Sequence, residues 1–270
     1  LALVAAFAIL VALLIDVTQR GLPVFLDRGL EFLTSEGSSR AARAGVSQGI
    51  VGSLLLMVFV VVIAFPLGIA AAVYLEEYAH DTWLTRTINT VVRNLAGVPA
   101  IVYGLLGVFI FTTLFGRTVY AGGLTLAVLV LPIVIITTAE ALRAVPWTIR
   151  EGAFGVGATR WEVVRTHVLP YAAPGIFTGT ILSLARAFGE TAPLILVGAV
   201  LGNFSFGADN LSDRLNGPYT SLPTVIYNWA RQPDVDFRAN TAAAIMVLLV
   251  VLLTIQALAI YLRNRFERKW

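Results

Sequence analysis

Long apolar runs separated by polar segments are the main feature of this chain. Several runs are too long for a helix packed in a soluble core and approach or exceed the ~20 residues that cross a bilayer. The pattern therefore predicts an all-α membrane protein with six transmembrane helices. The predicted spans are residues 1–15, 48–75, 91–115, 121–144, 171–201 and 240–262.

The polar segments divide the chain into regions. Residues 16–47 are predicted to form an external loop, and residues 48–262 form a five-span core. That core contains a cytoplasmic polar stretch at 145–170 and a long external loop at 202–239. A basic tail at 263–270 follows the last span directly, which favours cytoplasmic termini because Lys and Arg concentrate on that side of the membrane.

The first apolar run, Leu1–Ile15, is shorter than a complete span, and the chain begins with Leu instead of Met. We expect it to be a first span that lacks part of its length. The apolar region of a signal peptide is the alternative interpretation. No small-residue cleavage pattern precedes Asp16, which favours the span.

The composition argues against several kinds of site. The chain has no cysteine, so thiol nucleophiles, disulfides and sulfur metal ligands are excluded. Lys269 is its single lysine, and no glycine-rich loop ends in Lys, so a Walker A nucleotide site is not expected. His80 and His167 lack metal-ligand spacing. The net charge of +3 is too small to indicate nucleic-acid binding. We expect no metal, no cofactor and no covalent catalysis by this chain.

The most informative polar segment, residues 145–170, reads VPWTIREGAFGVGATRWEVVRTHVLP. Two Thr-x-x-Glu patterns, Thr148–Glu151 and Thr159–Glu162, predict capping boxes at the starts of two short helices. Gly155 and Gly157 are expected to end the first helix and to allow a sharp turn.

The second of these short helices is expected to end before Pro170. Trp161, Val164 and Val168 lie near one stripe and give the helix an apolar face. An amphipathic connector packed on its own bundle and a docking surface for a partner protein both fit this pattern.

Arg186 and Glu190 lie within the fifth apolar run, which reads ARAFGETAPL at this point. A central Arg or Asp costs roughly 2.5–3.5 kcal/mol on insertion scales. If the span starts between Tyr171 and Ile176, Arg186 lies roughly 15–22 Å into the bilayer at 1.5 Å per residue. Residues four apart share a helix face, although Pro193 is expected to loosen the helix nearby.

The chemistry of this pair supports two hypotheses. A guanidinium forms two parallel hydrogen bonds to an oxyanion such as phosphate or sulfate, which predicts an anion pathway. A buried ion pair that sets the register of two helices is the alternative.

The long external loop contains the sequence SLPTVIYNWARQP. Leu222–Arg231 is predicted to form a short helix, and Tyr227 and Trp229 are typical of aromatic residues at a membrane surface. A loop anchored on the bilayer and a contact surface for an external partner both fit this segment.

The stretch at 145–170 also resembles the EAA loop of ABC importer permeases, which has the pattern Glu-Ala-Ala, three residues, Gly, nine residues, Ile-x-Leu-Pro. Here it appears as Glu151-Gly152-Ala153, then Gly157, then His-Val-Leu-Pro at 167–170. Gly152 and the His depart from the pattern, and the glycine weakens the helix by up to ~1 kcal/mol relative to Ala. The resemblance implies a coupling helix that docks on a separate ATP-hydrolysing subunit. The candidate coupling residues are Glu151, Ala153, Gly157, Arg160 and Trp161.

Four further segments are similar to the phosphate-specific (Pst) permeases of the ABC importers. They read FPLGIAAAVYLEEYA at 65–79, NLAGVPAIVYGLLG at 94–107, LPIVIITTAEALRAVP at 131–146 and LARAFGETAPL at 184–194. SLPTVIYNWA at 221–230 resembles the PstA subunit more than its partner PstC. The resemblance covers nearly the whole chain and implies a type I ABC importer permease (MetI-like) fold.

The resemblance further implies half of the pathway of an ATP-driven phosphate importer in the prokaryotic inner membrane. The implied pathway residues are Arg186, Glu190, Asn94 and Tyr103. Gly97 and Pro99 would bend span three, although a packing kink is an equal alternative. The implied partners are a PstC-like permease, a PstB-like ATP-binding dimer, an external PstS-like phosphate-binding protein and the lipid bilayer.

Three other functions stay open at this point. A sulfate or molybdate importer of the same class is the nearest alternative. A proton-coupled secondary transporter would show internal repeats, and no convincing repeat is present. A membrane-embedded enzyme would need a metal or nucleophile cluster, for which the sequence offers no candidate residues.

Overall fold

The computed structural model describes residues 1–199 and 211–266, without the side chains of residues 211, 212, 262 and 266. Within these ranges every regular element is helical. In chain order the helices are α1 (Ala2–Arg28), α2 (Glu31–Thr34), α3 (Ser47–Tyr78), α4 (Trp83–Ala96), α5 (Ala100–Phe115), α6 (Val119–Arg143), α7 (Trp147–Gly155), α8 (Arg160–Gly189), α9 (Ala192–Val197), α10 (Leu211–Asn216), α11 (Leu222–Ala230) and α12 (Asp236–Phe266).

Five helices of the described chain are long and apolar enough to cross a membrane, namely α1, α3, α6, α8 and α12. The bent pair α4–α5 makes a sixth span if it is counted as one. The prediction of an all-α protein with six spans is therefore confirmed. Helix length follows from the bilayer, since ~20 apolar residues are needed to cross it.

Helix α6 forms the centre of the bundle. In its most apolar stretch 61% of the residues are buried, against 0% for α1, which lies at the periphery. Leu126, Val130 and Val134 on α6 are completely buried. Because α6 packs against α3, α5 and α8, it fixes the positions of the helices that carry the candidate site residues.

Helix α1 continues past Ile15, where the sequence predicts the first span to end, as far as Arg28. Asp16 and Arg20 are one turn apart and form an ion pair of 2.7 Å. Such a pair supports an exposed helix, so polar residues at this point extend the helix instead of ending it.

The prediction that Pro170 ends the second short helix is wrong, because α8 runs through it. A π-helical turn at Val164–Val168 comes just before the proline, and the Leu169 N–H donates to the carbonyl five residues back. The wider turn changes the hydrogen-bond pattern at the point where Pro170 lacks a donor. The end of the polar stretch and the fifth span therefore form one continuous helix.

Of the two predicted capping boxes, the first is wrong and the second is confirmed. Pro146 occupies the N-cap of α7, and no side chain caps that helix, which places Thr148 inside its first turn. At α8 the Glu162 N–H donates to the Thr159 hydroxyl at 3.4 Å, and the Thr159 N–H donates to the Glu162 carboxylate at 2.7 Å.

The predicted short helix in the long loop is confirmed as α11. Tyr227 is partly exposed. Trp229 is 1% exposed, and its ring lies 6.2 Å from Phe32 and 5.8 Å from Phe237, measured between centroids. The prediction that Trp229 lies at the membrane surface is therefore wrong, because α2 and the start of α12 cover it.

Candidate functional site

The third span contains a sharp break. Helices α4 and α5 meet at an angle of 101° around residues 97–99, which confirms the predicted bend at Gly97 and Pro99. The helix does not begin at Val91, as the sequence predicts, but at Trp83. Asn94 lies exposed in the last turn of α4, where its carbonyl accepts a hydrogen bond from the Gly97 N–H at 3.1 Å.

Tyr103 is buried on the other side of this bend. Its hydroxyl donates to the Leu95 carbonyl at 2.9 Å. The Leu95 carbonyl also accepts the Val98 N–H at 3.0 Å, so the tyrosine supplies a second donor at the end of α4. The hydroxyl of Tyr103 therefore holds the two helices at the bend.

A second break lies in the predicted fifth span of residues 171–201. Helix α8 ends at Gly189, Glu190 has an extended backbone, and α9 begins at Ala192. The expected loosening at Pro193 is confirmed, since that proline occupies the first turn of α9. Residues 200 and 201 lie outside the described residues.

The two broken spans pack against each other. A Cβ atom added to Gly104 of α5 would lie 2.7 Å from the Cα of Pro193, so these backbones are in close contact. Tyr103 shares a buried cluster with Ala187 and Phe188, the residues that follow Arg186. The fold therefore brings Tyr103 next to the Arg186–Glu190 segment, whereas Asn94 lies beyond the bend.

Arg186 and Glu190 form a loose ion pair. The Nε of Arg186 lies 3.5 Å from Oε1 of Glu190, and their side chains are 50% and 18% exposed. Charge-assisted pairs normally measure about 2.7–2.9 Å. Leu182, one turn before Arg186 on the same face, is also exposed. The guanidinium thus faces an open side of α8 within a membrane span and retains donors for an oxyanion.

The predicted coupling residues lie at the corner formed by α7 and the start of α8. Gly155 ends α7, and Gly157 has a φ of +87°, a conformation that favours glycine. Both glycine predictions are therefore confirmed. Ala153 is buried under this corner, whereas Glu151 is exposed. The guanidinium of Arg160 lies 5.5 Å above the ring of Tyr78, near the end of α3.

The corner presents large apolar side chains to solvent. Trp161 is 56% exposed, whereas its predicted stripe partners Val164 and Val168 are buried in the bundle. The exposed residues are Trp147, Phe154, Val156 and Trp161. Exposed large apolar side chains concentrated at one corner are typical of a protein interface.

The sequence analysis missed two ion pairs beneath this corner. Arg150 of α7 pairs with Glu77 of α3 at 2.7 Å, and both side chains are 9% exposed. Arg143 at the end of α6 pairs with Glu76, with Nε 2.8 Å from Oε2. The adjacent Glu76 and Glu77 at the end of the second span could have indicated these ion pairs, because a buried carboxylate needs a cationic partner.

Comparison with known proteins assigns a family. The model described as binding-protein-dependent transport system inner membrane component matches residues 64–268. A phosphate transport system permease protein PstA from Yersinia pestis is 36% identical over 83% of this chain and 75% of its own length. A probable ABC transporter permease protein, YqgI of Bacillus subtilis, is 32% identical over 84% of this chain and 81% of its own.

Solved structures show the same fold. A chain of a bacterial alginate ABC transporter is 14% identical with a TM-score of 0.66, covering 97% of this chain and 90% of that one. A chain of the inward-facing MetNI methionine ABC transporter is 20% identical with a TM-score of 0.60, covering 83% and 95%. The predicted type I importer permease fold is therefore confirmed.

Proposed function

The chain belongs to the family of binding-protein-dependent transport system inner membrane components, and from that premise we propose that it is the permease subunit of an ATP-driven importer of inorganic phosphate. It is a multi-pass membrane protein and a transport component. The observation that carries the proposal is Arg186, a half-exposed guanidinium inside a membrane span beside a helix break.

Arg186 recognises phosphate by geometry and by charge. Its planar fork forms two parallel hydrogen bonds to two oxygens of one phosphate. Glu190 competes for the same guanidinium from 3.5 Å, which weakens phosphate binding enough for release. A conducting site must bind its ion well enough for entry and weakly enough for exit.

A second, homologous PstC-like permease forms the other half of the pathway. The most apolar stretch of α1 buries no residue against its own chain, and Thr178, Leu182 and Arg186 leave one face of α8 exposed. In a pair of permeases, these surfaces pack against the partner or line the pathway between the two subunits.

ATP hydrolysis belongs to a separate PstB-like dimer, which docks at the α7–α8 corner through the exposed Trp147, Phe154, Val156 and Trp161. This corner lies in the cytoplasm. Because it follows the fourth of six spans, both termini lie in the cytoplasm as well. A PstS-like protein delivers phosphate to the outer face, which includes the region around α2 and α11.

Uptake into proteoliposomes tests this function. The chain is purified with a PstC-like permease, a PstB-like ATPase and a PstS-like protein, and ATP-dependent uptake of labelled phosphate is measured. We expect uptake that excess sulfate or molybdate does not reduce. Uptake of sulfate or molybdate in place of phosphate would assign the other oxyanion, and uptake without ATP would contradict an ATP-driven importer.

A further inference from the structure

The cytoplasmic end of α3 is joined to the coupling corner by three arginines. Glu76 pairs with Arg143 of α6, Glu77 pairs with Arg150 of α7, and Tyr78 lies under Arg160 of α8. Three consecutive residues of one span thus contact three successive helices of the coupling region. These six residues are called the arginine clamp below.

Arg150 is the central member of the clamp because it contacts three helices. Its Nη2 donates to Oε1 of Glu77 at 2.7 Å, and its Nε donates to Oε2 at 3.4 Å. The same guanidinium donates to the carbonyls of Leu142 at 3.0 Å and Val145 at 2.8 Å. The Leu142 carbonyl lies in the last turn of α6, where it also accepts the Val145 N–H at 3.2 Å, and Val145 lies between α6 and α7. One side chain therefore joins α3, α6 and α7.

The polar contacts restrict motion that apolar packing allows. Ala72, Ala153 and Val168 belong to an apolar cluster beside the clamp, and such contacts resist separation but are non-directional. A cavity of about 510 Å³ lies at the same level, lined by clamp residues together with Trp147 and Phe154. The forked hydrogen bonds between Arg150 and Glu77 therefore set the position of α7 relative to α3.

We propose that Glu77 is a positioning residue that, through Arg150, transmits the movement of α7 into α3 during transport. This inference rests on the proposed function, in which an ATPase moves α7. Glu77 itself touches neither phosphate nor nucleotide. A residue in this role changes how much ATP is used per phosphate, whereas a purely structural residue changes the amount of folded complex.

A matched control lies four residues from Glu77. Asp81 and Arg86 form an ion pair of the same length, 2.7 Å, that is fully outside the clamp. Hydrogen bonding from Arg86 holds the pKa of Asp81 below its ordinary value, so this pair is charged at neutral pH. Asp81→Asn therefore removes an ion pair of equal length, in this case a solvent-exposed one, without touching α7.

The first measurement is the ratio of ATP hydrolysed to phosphate imported, in the complete complex in proteoliposomes. Coupling between sites typically amounts to roughly 5–150-fold, so we expect Glu77→Gln to raise this ratio by about fivefold or more. Asp81→Asn should leave it unchanged. Arg143→Gln, in the more exposed half of the clamp, should give a smaller rise and provides a second variant if Glu77→Gln does not assemble.

The second measurement does not depend on phosphate. The chain has no cysteine, so spin labels at Thr148→Cys on α7 and Tyr74→Cys on α3, both at exposed positions, are unique in this subunit. We expect a narrow distance distribution in the unsubstituted complex and in Asp81→Asn, and a broader one in Glu77→Gln and Arg143→Gln.

The outcomes separate the inference from the proposed function. If the unsubstituted complex imports no phosphate, the proposed function fails. The distance distributions still test whether the clamp sets the position of α7 relative to α3. If it imports phosphate but both clamp variants keep the control ratio and the control distances, the inference is overturned. Reduced yield at an unchanged ratio would assign Glu77 a structural role and would also overturn it.

Discussion

Two Arg–Glu pairs in this protein have the same chemistry and opposite surroundings. Arg150 and Glu77 are 2.7 Å apart with side chains 9% exposed, and Arg150 donates to two further carbonyls. Arg186 and Glu190 are 3.5 Å apart, and the arginine is half exposed. Arg150 uses four of its five donors to hold helices in position, whereas Arg186 has donors left over for a passing anion.

The local backbone explains the difference. Glu77 and Arg150 lie on separate helices that α6 holds together, so each side chain can approach the other directly. Arg186 and Glu190 belong to one segment, and the helix ends between them at Gly189. The extended backbone at Glu190 moves its carboxylate away from the ideal one-turn position, which keeps the pair loose.

The largest expected effect is a loss of transport, and it comes from the loose pair of Arg186 and Glu190. Arg186→Gln should lower phosphate uptake by roughly 100-fold or more, since losing the charged partner of a bound anion costs about 2–5 kcal/mol. The thermal unfolding midpoint and the yield of complex should stay unchanged. Uptake assays and unfolding curves check both halves of this prediction. Wild-type uptake in Arg186→Gln would contradict the pathway role, and a large loss of stability would show that this pair also stabilises the fold.

The second-largest expected effect is a loss of stability, and it comes from the buried pair of Arg150 and Glu77. Arg150→Gln leaves the Glu77 carboxylate buried without its cation, which costs roughly 3–5 kcal/mol. We expect a sharply lower unfolding midpoint and less assembled complex. Arg165→Gln, an exposed arginine on α8, serves as the control. If the midpoint of Arg150→Gln equals that of the control, the two pairs do not differ in the way described.

The smallest effect concerns Tyr103, which the resemblance places in the pathway. Tyr103→Phe removes the hydroxyl that donates to the Leu95 carbonyl, so we expect a loss of about 1 kcal/mol in stability. Uptake per assembled complex should fall little compared with Arg186→Gln. Thermal unfolding and uptake measured on one preparation test this, and a loss of uptake as deep as that of Arg186→Gln would make the hydroxyl a direct ligand.

Hydrophobic length and local motifs made much of the protein predictable. The number of spans follows from apolar run lengths, because a bilayer core sets a minimum helix length. The bend at Gly97 and Pro99, the turn at Gly157 and the cap at Thr159 are local features, so nearby residues were enough to predict them. The identical pattern at Thr148 failed because Pro146 occupies the cap instead.

The sequence by itself determined that this is a helical membrane protein, that Arg186 lies inside a span and that the 145–170 stretch turns sharply. The tertiary structure decided which charges are engaged. Glu77 meets Arg150 across 73 residues of chain, Trp229 is buried by Phe32, and α5 meets α9 at Gly104. These contacts join distant segments, and the strength of a charge–charge interaction depends on distance and burial, which no local pattern specifies.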